Sequence, residues 1–232
     1  MIKKGDFIQL DYTGSLTETQ EVFDTTEEKV AKEKKLYNPK VQYKPATIIV
    51  GESQVVPGLD KNLDGKNIGE HTFALKAEEA FGLKNPKLLK LIPLKSFTSQ
   101  RIQPFVGLDV NIDNQMGVVR SVNSGRIIVD FNHPLSSKDI TYHVKVHKIL
   151  TDPKEKIEAW FHITGLTHGD IKIEGKKALV EIKQELPEPL LHHFQEQITR
   201  YTGTETVLNT VGKTKPSSDK KEETKPVAVK KS

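Results

Sequence analysis

Apolar and polar residues alternate along several short stretches of this chain, a pattern that predicts β-strands with one buried face. The clearest stretches are residues 7–13, 71–76 and 140–150, in which apolar side chains recur at every second position. A second, more polar strand is expected over residues 15–24, after a glycine that punctuates the first. The long stretch 140–150 is expected to return to the sheet that the first strand begins.

Two short helices are predicted among these strands. Residues 27–35 are rich in charge and follow Thr25 and Thr26, which predicts a surface helix with a threonine cap. Pro57–Leu63 has proline at its first position and Gly65 just beyond its end, a placement typical of a helix start and stop. Strands therefore dominate the first third of the chain.

The pattern changes near residue 84, where an apolar run precedes short strands separated by tight turns. These strands are predicted over residues 110–112, 116–122 and 126–131. The dipeptide Asp152-Pro153 then marks a boundary. The elements predicted beyond it are strands at 159–164, 170–174 and 178–184, a helix at 187–201 and a last strand at 205–211. This order of elements predicts an α+β fold with a small, separate α+β domain at its C-terminal end.

Composition excludes several kinds of site. Hydrophobic residues make up 35% of the 232 residues and charged residues 28%, and there is no cysteine. Disulfides, thiolate zinc sites and a cysteine nucleophile are therefore excluded. No run approaches the roughly 20 apolar residues of a membrane span, and no long apolar segment follows the first basic residues. We expect no signal peptide, no membrane association and a cytoplasmic location.

The positive charge is concentrated at the C-terminal end. Residues 213–232 carry seven lysines and three acidic residues, which accounts for the whole formal net charge of +4. This composition predicts a disordered, lysine-rich tail. The same charge leaves open a weak contact of the tail with ribosome or RNA.

The motifs of metal, nucleotide and covalent chemistry are missing from the sequence. The eight histidines form no HExxH pattern, and there is no GxGxxG and no phosphate-binding loop. The segment 130–135 brings Asp, Asn and His together, but no serine elbow accompanies it. It is interpreted as a turn in which Asn132 and His133 hydrogen-bond to the backbone. We expect no metal and no cofactor.

What remains is a set of apolar and aromatic segments, which composition alone would assign to a hydrophobic core. In order, they resemble the FKBP-type peptidyl-prolyl isomerases over about 150 residues. The motifs that carry the resemblance are DYTG at 11–14, VFDTT at 22–26, GESQVVPGLD at 51–60, AFG at 80–82 and YHVKV at 142–146.

One feature narrows this resemblance. Some sixty residues separate Phe81 from Tyr142, and they end in the motif NHPL at 132–135. This arrangement resembles the SlyD-like group, and above all its long archaeal members, in which a chaperone domain replaces the flap. The resemblance implies a discontinuous isomerase domain, an inserted domain, a C-terminal domain and a tail. The boundaries are 1–85 with 134–151, 86–133, 152–212 and 213–232.

The resemblance also implies a half-wrapped antiparallel sheet over a short helix, with a proline-binding pocket between them. The residues carried over as catalytic are Asp24, Tyr12, Phe81 and Tyr142. Those carried over as substrate-binding are Phe23, Val55, Val56 and Leu59. Leu59 stands where the best-known small members have tryptophan, and Phe81 stands where they have tyrosine.

The implied function is peptidyl-prolyl cis-trans isomerisation combined with chaperone activity on unfolded or proline-containing polypeptides. An alternative is a holdase with little isomerase activity. The insert would hold the client through apolar side chains, and the candidates are Leu88, Leu89, Leu91, Ile92, Leu94, Phe97, Ile102, Phe105 and Val106. The sequence leaves open how many of these pack the insert's own core. It does not determine the oligomeric state.

Overall fold

The computed structural model describes residues 1–210, over which the chain forms twelve strands and five α-helices. The strands are β1 (Phe7–Leu16), β2 (Val22–Thr25), β3 (Ala46–Ile49), β4 (Gly69–Leu75), β5 (Leu89–Pro93), β6 (Asp109–Ile112), β7 (Gln115–Asn123), β8 (Arg126–Asp130), β9 (Ile140–Ile149), β10 (His168–Glu174), β11 (Lys177–Ile182) and β12 (Glu205–Thr210). The helices are α1 (Glu28–Glu33), α2 (Pro57–Leu63), α3 (Leu94–Thr98), α4 (Pro153–Thr164) and α5 (Glu188–Thr202). The α+β class predicted from the sequence is confirmed.

The first sheet has five antiparallel strands in the order β2-β1-β9-β4, with β3 also paired to β1. The ten residues of β1 are long enough to hold β3 along their first half and β2 along their second. β9 lies between β1 and β4, so the predicted return of residues 140–150 to the first sheet is confirmed. The middle of the sheet therefore brings together strands that are more than 120 residues apart in sequence.

Helix α2 packs against this sheet, as the resemblance implied. Its Leu59 and Leu63 are buried in the core of the sheet. A Cβ atom at Gly58 would lie 2.8 Å from the backbone oxygen of Glu79 and 2.9 Å from the side chain of Leu75, so only glycine permits this close approach. The helix is held so close to the sheet that its first residues can form one wall of a cavity.

The segment between β4 and β9 forms a sheet of its own, with antiparallel strands in the order β5-β8-β7-β6. The predicted meander of three strands is confirmed, and helix α3 is an element that the sequence pattern did not predict. This small sheet has a separate core, made of Phe97, Val110, Val119, Ile127 and Val129.

A buried carboxylate joins the two ends of this inserted sheet. Asp130 accepts hydrogen bonds from Lys84 Nζ at 3.1 Å, Arg120 Nε at 3.2 Å and both nitrogens of Asn132. Burial alone would raise the pKa of Asp130, but the hydrogen bonds from Asn132 and Lys84 outweigh it and hold that pKa well below its usual range. The side chain of Asn132 also accepts a hydrogen bond from the backbone N–H of Asn85 and donates one to its carbonyl oxygen. These bonds join the segment that leads into the inserted sheet to the segment that leads out of it.

Three β-bulges interrupt the ladders of these two sheets, and each adds one residue to one strand. In β2 the extra residue is Phe23, because Gly14 pairs with Asp24 and Ser15 with Val22. The other two extra residues are Arg120 in β7 and His147 in β9. A bulge changes the direction of the side chain it carries.

The described chain divides into two compact units, residues 1–159 and the residues from Trp160 onward. The second unit contains a three-stranded sheet in which β10 and β11 are antiparallel and β11 and β12 are parallel, together with α5. Helix α5 and strands β10 and β11 were predicted from the sequence. Nothing in residues 1–210 forms a helix long and apolar enough to cross a membrane. The predicted disordered tail, and residue 211 of the last strand, lie outside the described residues.

The strand predicted at residues 159–164 is wrong, because these residues form the end of helix α4. The helix begins at Pro153, and the carboxylate of Asp152 accepts a hydrogen bond from the backbone N–H of Glu155 at 3.1 Å. Ile157, Trp160 and Phe161 are spaced three to four residues apart, which is the helical repeat. The short apolar run at the end of this helix looks like a strand when it is taken without its start.

The second strand was predicted too long, and the cap of the first helix was assigned to the wrong residue. β1 continues through Gly14 to Leu16 because it stays paired to β9 over this length, and only Val22–Thr25 forms β2. The N-cap of α1 is Glu27, which has no side-chain cap. The hydroxyl of Thr26 instead donates to Asp11 at 2.7 Å.

Candidate active site

A cavity of about 360 Å³ opens between the first sheet and the start of α2. Its walls come from β1, β2, the loop before α2, the turn after β4, and β9. The residues that line it are Tyr12, Asp24, Gln54, Val55, Val56, Leu59, Phe81 and Tyr142. Seven of the eight residues carried over by resemblance are in this set, so the fold brings them together from segments that span 130 residues.

The eighth residue, Phe23, lies behind the cavity wall and supports it. Its ring packs edge-on against Phe81 at 5.9 Å and against Tyr142 at 6.0 Å between ring centroids. Tyr12 and Tyr142 make a third edge-on contact at 5.8 Å. Edge-to-face packing is the favoured geometry for aromatic pairs, so the four rings hold one another in place.

Gly14 makes room for two of these rings. A Cβ atom built on Gly14 would lie 2.7 Å from the ring of Phe23 and 2.8 Å from the ring of Tyr142, closer than real Cβ contacts come. The adjacent bulge in β2 directs Phe23 into this space. The glycine of the DYTG motif is therefore required by the aromatic wall rather than by a turn.

A hydrogen bond of 3.0 Å joins the hydroxyl of Tyr12 to Oδ2 of Asp24. Burial raises the pKa of Tyr12, and the charge of Asp24 raises it further. Burial and the same carboxylate also raise the pKa of Tyr142 to about 12. Both phenols therefore stay protonated at neutral pH, and the cavity presents neutral hydroxyl groups beside one exposed carboxylate.

Two side chains, the buried Asp60 and the exposed Gln54, hold the loop that leads into α2. The carboxylate of Asp60 accepts hydrogen bonds from the backbone N–H groups of Gly51 at 2.7 Å and Ser53 at 3.0 Å. The side-chain oxygen of Gln54 accepts from the N–H of Ile49 at 2.8 Å. These bonds determine where the next two residues of the loop, the cavity valines, lie.

Two residues at the site were missed by the sequence reasoning. Gln54 lines the cavity, and its position directly before Val55 was the only available signal. The ring of His133 stacks on Phe81 at 4.6 Å between centroids with 5° between the planes. The turn predicted at residues 130–135 is otherwise confirmed, since Asn132 and His133 both hydrogen-bond to the backbone. His133 thus adds a contact to the outer side of the pocket wall.

The predicted client-holding surface of the insert is only partly exposed. Phe97 is wrong as a surface residue, because it is 4% exposed and belongs to the core of the inserted sheet. Leu88 and Ile92 are half-buried. The large apolar side chains of the insert that are exposed are Leu89, Leu91, Ile102, Phe105, Val106, Met116 and Val122. Leu89 was among the candidates, whereas Met116 and Val122 were not, and the candidate Leu94 is half-buried. Within residues 1–210, no three His, Asp or Glu side chains cluster in a way that could hold a metal ion.

Two family models match the chain over segments that overlap at residues 90–96. The model described as FKBP-type peptidyl-prolyl cis-trans isomerase matches residues 1–96. The model described as FKBP26, IF domain, matches residues 90–135. The second match covers most of the inserted sheet.

Similar proteins come from both archaea and bacteria. The short-type peptidyl-prolyl cis-trans isomerase of Methanocaldococcus jannaschii is 31% identical over 150 residues, which are 64% of this chain and 94% of the relative. The FKBP-type 16 kDa peptidyl-prolyl cis-trans isomerase of Escherichia coli is 31% identical over 113 residues, which are 46% of this chain and 74% of the relative. The isomerase SlyD of Helicobacter pylori is 28% identical over 131 residues, which are 54% of this chain and 70% of the relative.

Proposed function

This chain belongs to the family of FKBP-type peptidyl-prolyl cis-trans isomerases. We propose that the cavity between α2 and the first sheet binds a proline residue of the substrate and isomerises the peptide bond that precedes it. The observation that carries this proposal is the Tyr12–Asp24 hydrogen bond in the lining of a largely aromatic and apolar cavity. Isomerisation changes no covalent bond, so a lining made largely of aromatic and apolar side chains suits it.

The proposed mechanism follows from the electronic structure of the amide. The barrier of about 18–20 kcal/mol reflects the partial double-bond character of the C–N bond. The twisted transition state loses this resonance and is less dipolar than the planar amide. A pocket of apolar walls such as Val55, Leu59 and Phe81 therefore favours the transition state over the ground state.

Polar groups would then orient the substrate. We assign to the backbone N–H of Val56 the binding of a substrate carbonyl. The carboxylate of Asp24 orients the Tyr12 hydroxyl and interacts with the imide carbonyl as it rotates. Because the pKa of Tyr12 is raised by burial and by Asp24, this hydroxyl remains a donor through the cycle.

The test is an isomerase assay on a short proline-containing peptide. Asp24→Ala should lower kcat/KM by about tenfold, which corresponds to about 1.4 kcal/mol of transition-state stabilisation, while circular dichroism shows an unchanged fold. Asp64→Asn, which removes an exposed carboxylate at the end of α2, is the matched control. Turnover equal to wild type in Asp24→Ala would remove the assignment. A wild-type chain with negligible turnover would favour the holdase alternative.

The insert would supply the second activity, the holding of unfolded clients. Exposed apolar side chains such as Leu91, Phe105, Val106 and Met116 support this proposal, since large exposed apolar residues commonly mark interaction sites. A client held there would present its prolines to the pocket at a raised effective concentration.

A further inference from the structure

A chain of hydrogen bonds connects three strands that supply the pocket. His147 Nε2 on β9 lies 2.7 Å from Oδ2 of Asp11 on β1. The other oxygen of this carboxylate, Oδ1, accepts the hydroxyl proton of Thr26 at 2.7 Å. Thr26 directly follows β2. The chain thus ties together the strands that carry Tyr12, Asp24 and Tyr142.

The β-bulge in β9 places the first member of this chain. Leu10 pairs with Val146 and Gln9 with Lys148, so His147 is the extra residue with no partner across the ladder. Bulges redirect side chains and occur often beside active sites. In β9 the bulge directs the side chain of His147 toward the carboxylate of Asp11, which directly precedes Tyr12 in β1.

Thr26 links Asp11 to the backbone of Tyr12 through hydrogen bonds. Its hydroxyl accepts the backbone N–H of Tyr12 at 3.0 Å while its own proton goes to Asp11. Its backbone N–H donates to the carbonyl of Tyr12, also at 3.0 Å. A further bond of 2.8 Å joins the hydroxyls of Thr13 and Thr25. These bonds hold the end of β2, with Asp24 on it, beside Tyr12.

This cluster differs from an ordinary surface ion pair, which contributes little to stability. The Asp11 side chain is 17% exposed, and both of its oxygens accept short, charge-assisted hydrogen bonds. The neighbouring cation Lys145 feels the charge of Asp11, but its ammonium group forms its ion pair with Glu70 at 3.0 Å. The hydrogen bonds of Asp11 therefore serve the contact between β1, β2 and β9.

We propose that Asp11, Thr26 and His147 are positioning residues for the isomerase reaction. Through Thr26 they hold the carboxylate of Asp24 at the distance at which it meets the Tyr12 hydroxyl. None of the three lines the cavity, so they act through the Tyr12–Asp24 pair. The inference rests on the role proposed above for that pair.

The experiment is a double-mutant cycle, scored by kcat/KM on a short proline peptide. Thr26→Val removes the hydroxyl at nearly constant volume and should lower kcat/KM by five- to tenfold, and Thr26→Ser should restore it to within about twofold. His147→Ala should lower it by about threefold. His143→Ala is the matched control, since His143 lies on the same face of β9 and bonds to Thr72 instead. In an Asp24→Ala background, Thr26→Val should have no further effect.

A spectroscopic readout separates positioning from general stability. In protein labelled with ¹³C at the tyrosine ring, the Cζ signal of Tyr12 should move in Thr26→Val toward its position in Asp24→Ala, while the signal of Tyr43 stays in place. The inference is overturned if the Tyr12 signal and turnover are unchanged in Thr26→Val, or if Thr26→Val costs the same factor with and without Asp24. If Asp24→Ala itself keeps full turnover, the assignment of the pair fails, and this inference fails with it.

Discussion

At the scale of single residues, the pocket depends on side chains that stay uncharged and on one residue without a side chain. Tyr12 and Tyr142 keep their protons because they are largely buried and lie near a carboxylate. Gly14 leaves the space that the rings of Phe23 and Tyr142 occupy. Each feature leads to a measurable effect of a single substitution.

The alkaline stability of the fold should depend on Tyr142. Its pKa is about 12 in the folded protein, against about 10 for an unfolded tyrosine. Between these values the unfolded chain releases the phenolic proton and the folded chain keeps it, so the free energy of unfolding falls as the pH rises. The contribution is fully present below pH 10 and lost by about pH 12, and two pKa units correspond to roughly 2–3 kcal/mol.

Urea unfolding of wild type and Tyr142→Phe at intervals from pH 9 to pH 12 measures this contribution. The variant should lose less stability over the interval than the wild type. Tyr37→Phe, which changes an exposed tyrosine, should follow the wild-type curve. Parallel curves for wild type and Tyr142→Phe would contradict the prediction.

Gly14→Ala should damage the pocket more than the fold. The added Cβ would push against Phe23 and Tyr142, and overpacking of this kind costs about 1–3 kcal/mol. Because the displaced rings form the pocket wall, peptide turnover should fall by about tenfold or more. Gly117→Ala is the control, since a Cβ there meets Val129 and Phe131 equally closely but in the insert. It should lower stability by a similar amount and leave turnover nearly unchanged, and a similar loss of turnover in both variants would argue against the interpretation.

Sequence reasoning predicted the pocket residues because they stand in short motifs, each tied to one segment. It missed Gln54 and His133, which contribute through tertiary contacts. The side chain of Gln54 bonds to Ile49, and the ring of His133 stacks on Phe81, 52 positions earlier in the chain. No local pattern of apolar and polar residues carries information about such contacts.

At the scale of elements, strands with clear alternation were predicted well and their ends poorly. The long strand β9 and the helix α2 correspond closely to their predictions. The end of β1 was misplaced because its pairing with β9 continues past Gly14. The strand predicted at 159–164 failed because a capping carboxylate at Asp152 begins a helix there. Caps and pairing partners determined these boundaries, and periodicity alone does not contain them.

The hydrogen bonds of Asp130 should stabilise the two ends of the inserted sheet where they join the rest of the chain. Asp130→Asn removes the charge that Lys84 and Arg120 contact, and an imperfectly satisfied buried polar group costs about 1–3 kcal/mol. Hydrogen exchange at the amides of β5 and β8 should therefore accelerate. Peptide turnover should stay within about twofold, because the cavity lies elsewhere.

The contribution of Asp130 to the stability of the insert should depend on pH. Because hydrogen bonds hold the folded pKa of Asp130 below that of an unfolded aspartate, its contribution is present above about pH 4 and is lost as the pH falls further. The difference in exchange between wild type and Asp130→Asn should therefore shrink from pH 7 to pH 3. Asp113→Asn, in the exposed turn between β6 and β7, is the control. A difference as large at pH 3 as at pH 7 would be evidence against the charge as its cause.

At the scale of the whole molecule, the chain combines a pocket and an insert with exposed apolar side chains in one unit. The insert has its own sheet and core, and the bonds between Asn85 and Asn132 hold its two ends together. Such an arrangement lets the insert be removed without opening the first sheet. The proposed boundaries of the four domains stay a prediction that this kind of dissection tests.

Replacing residues 87–130 by a short Gly-Ser linker should separate the two activities. Turnover of a short proline peptide should stay within about threefold of wild type, because every residue that lines the cavity is kept. The catalysed refolding rate of a protein client whose refolding is limited by prolyl isomerisation should fall by tenfold or more, because the client is no longer held near the pocket. Asp24→Ala with the insert intact should lose both. Equal losses in both assays for the insert deletion would contradict the division of labour.

The three β-bulges have a consequence for how this chain tolerates change in length. Phe23, Arg120 and His147 each occupy one extra position in a strand. Removal of any one of them would leave a regular ladder in which the flanking residues keep their partners and their faces. Removal of a paired residue from the same strand would instead shift the register and turn the later side chains to the opposite face. Single-residue deletions at these three positions should therefore preserve the fold better than deletions of a neighbouring paired residue. Alignments with relatives that lack a bulge need a one-residue gap inside the strand and not in the neighbouring loop.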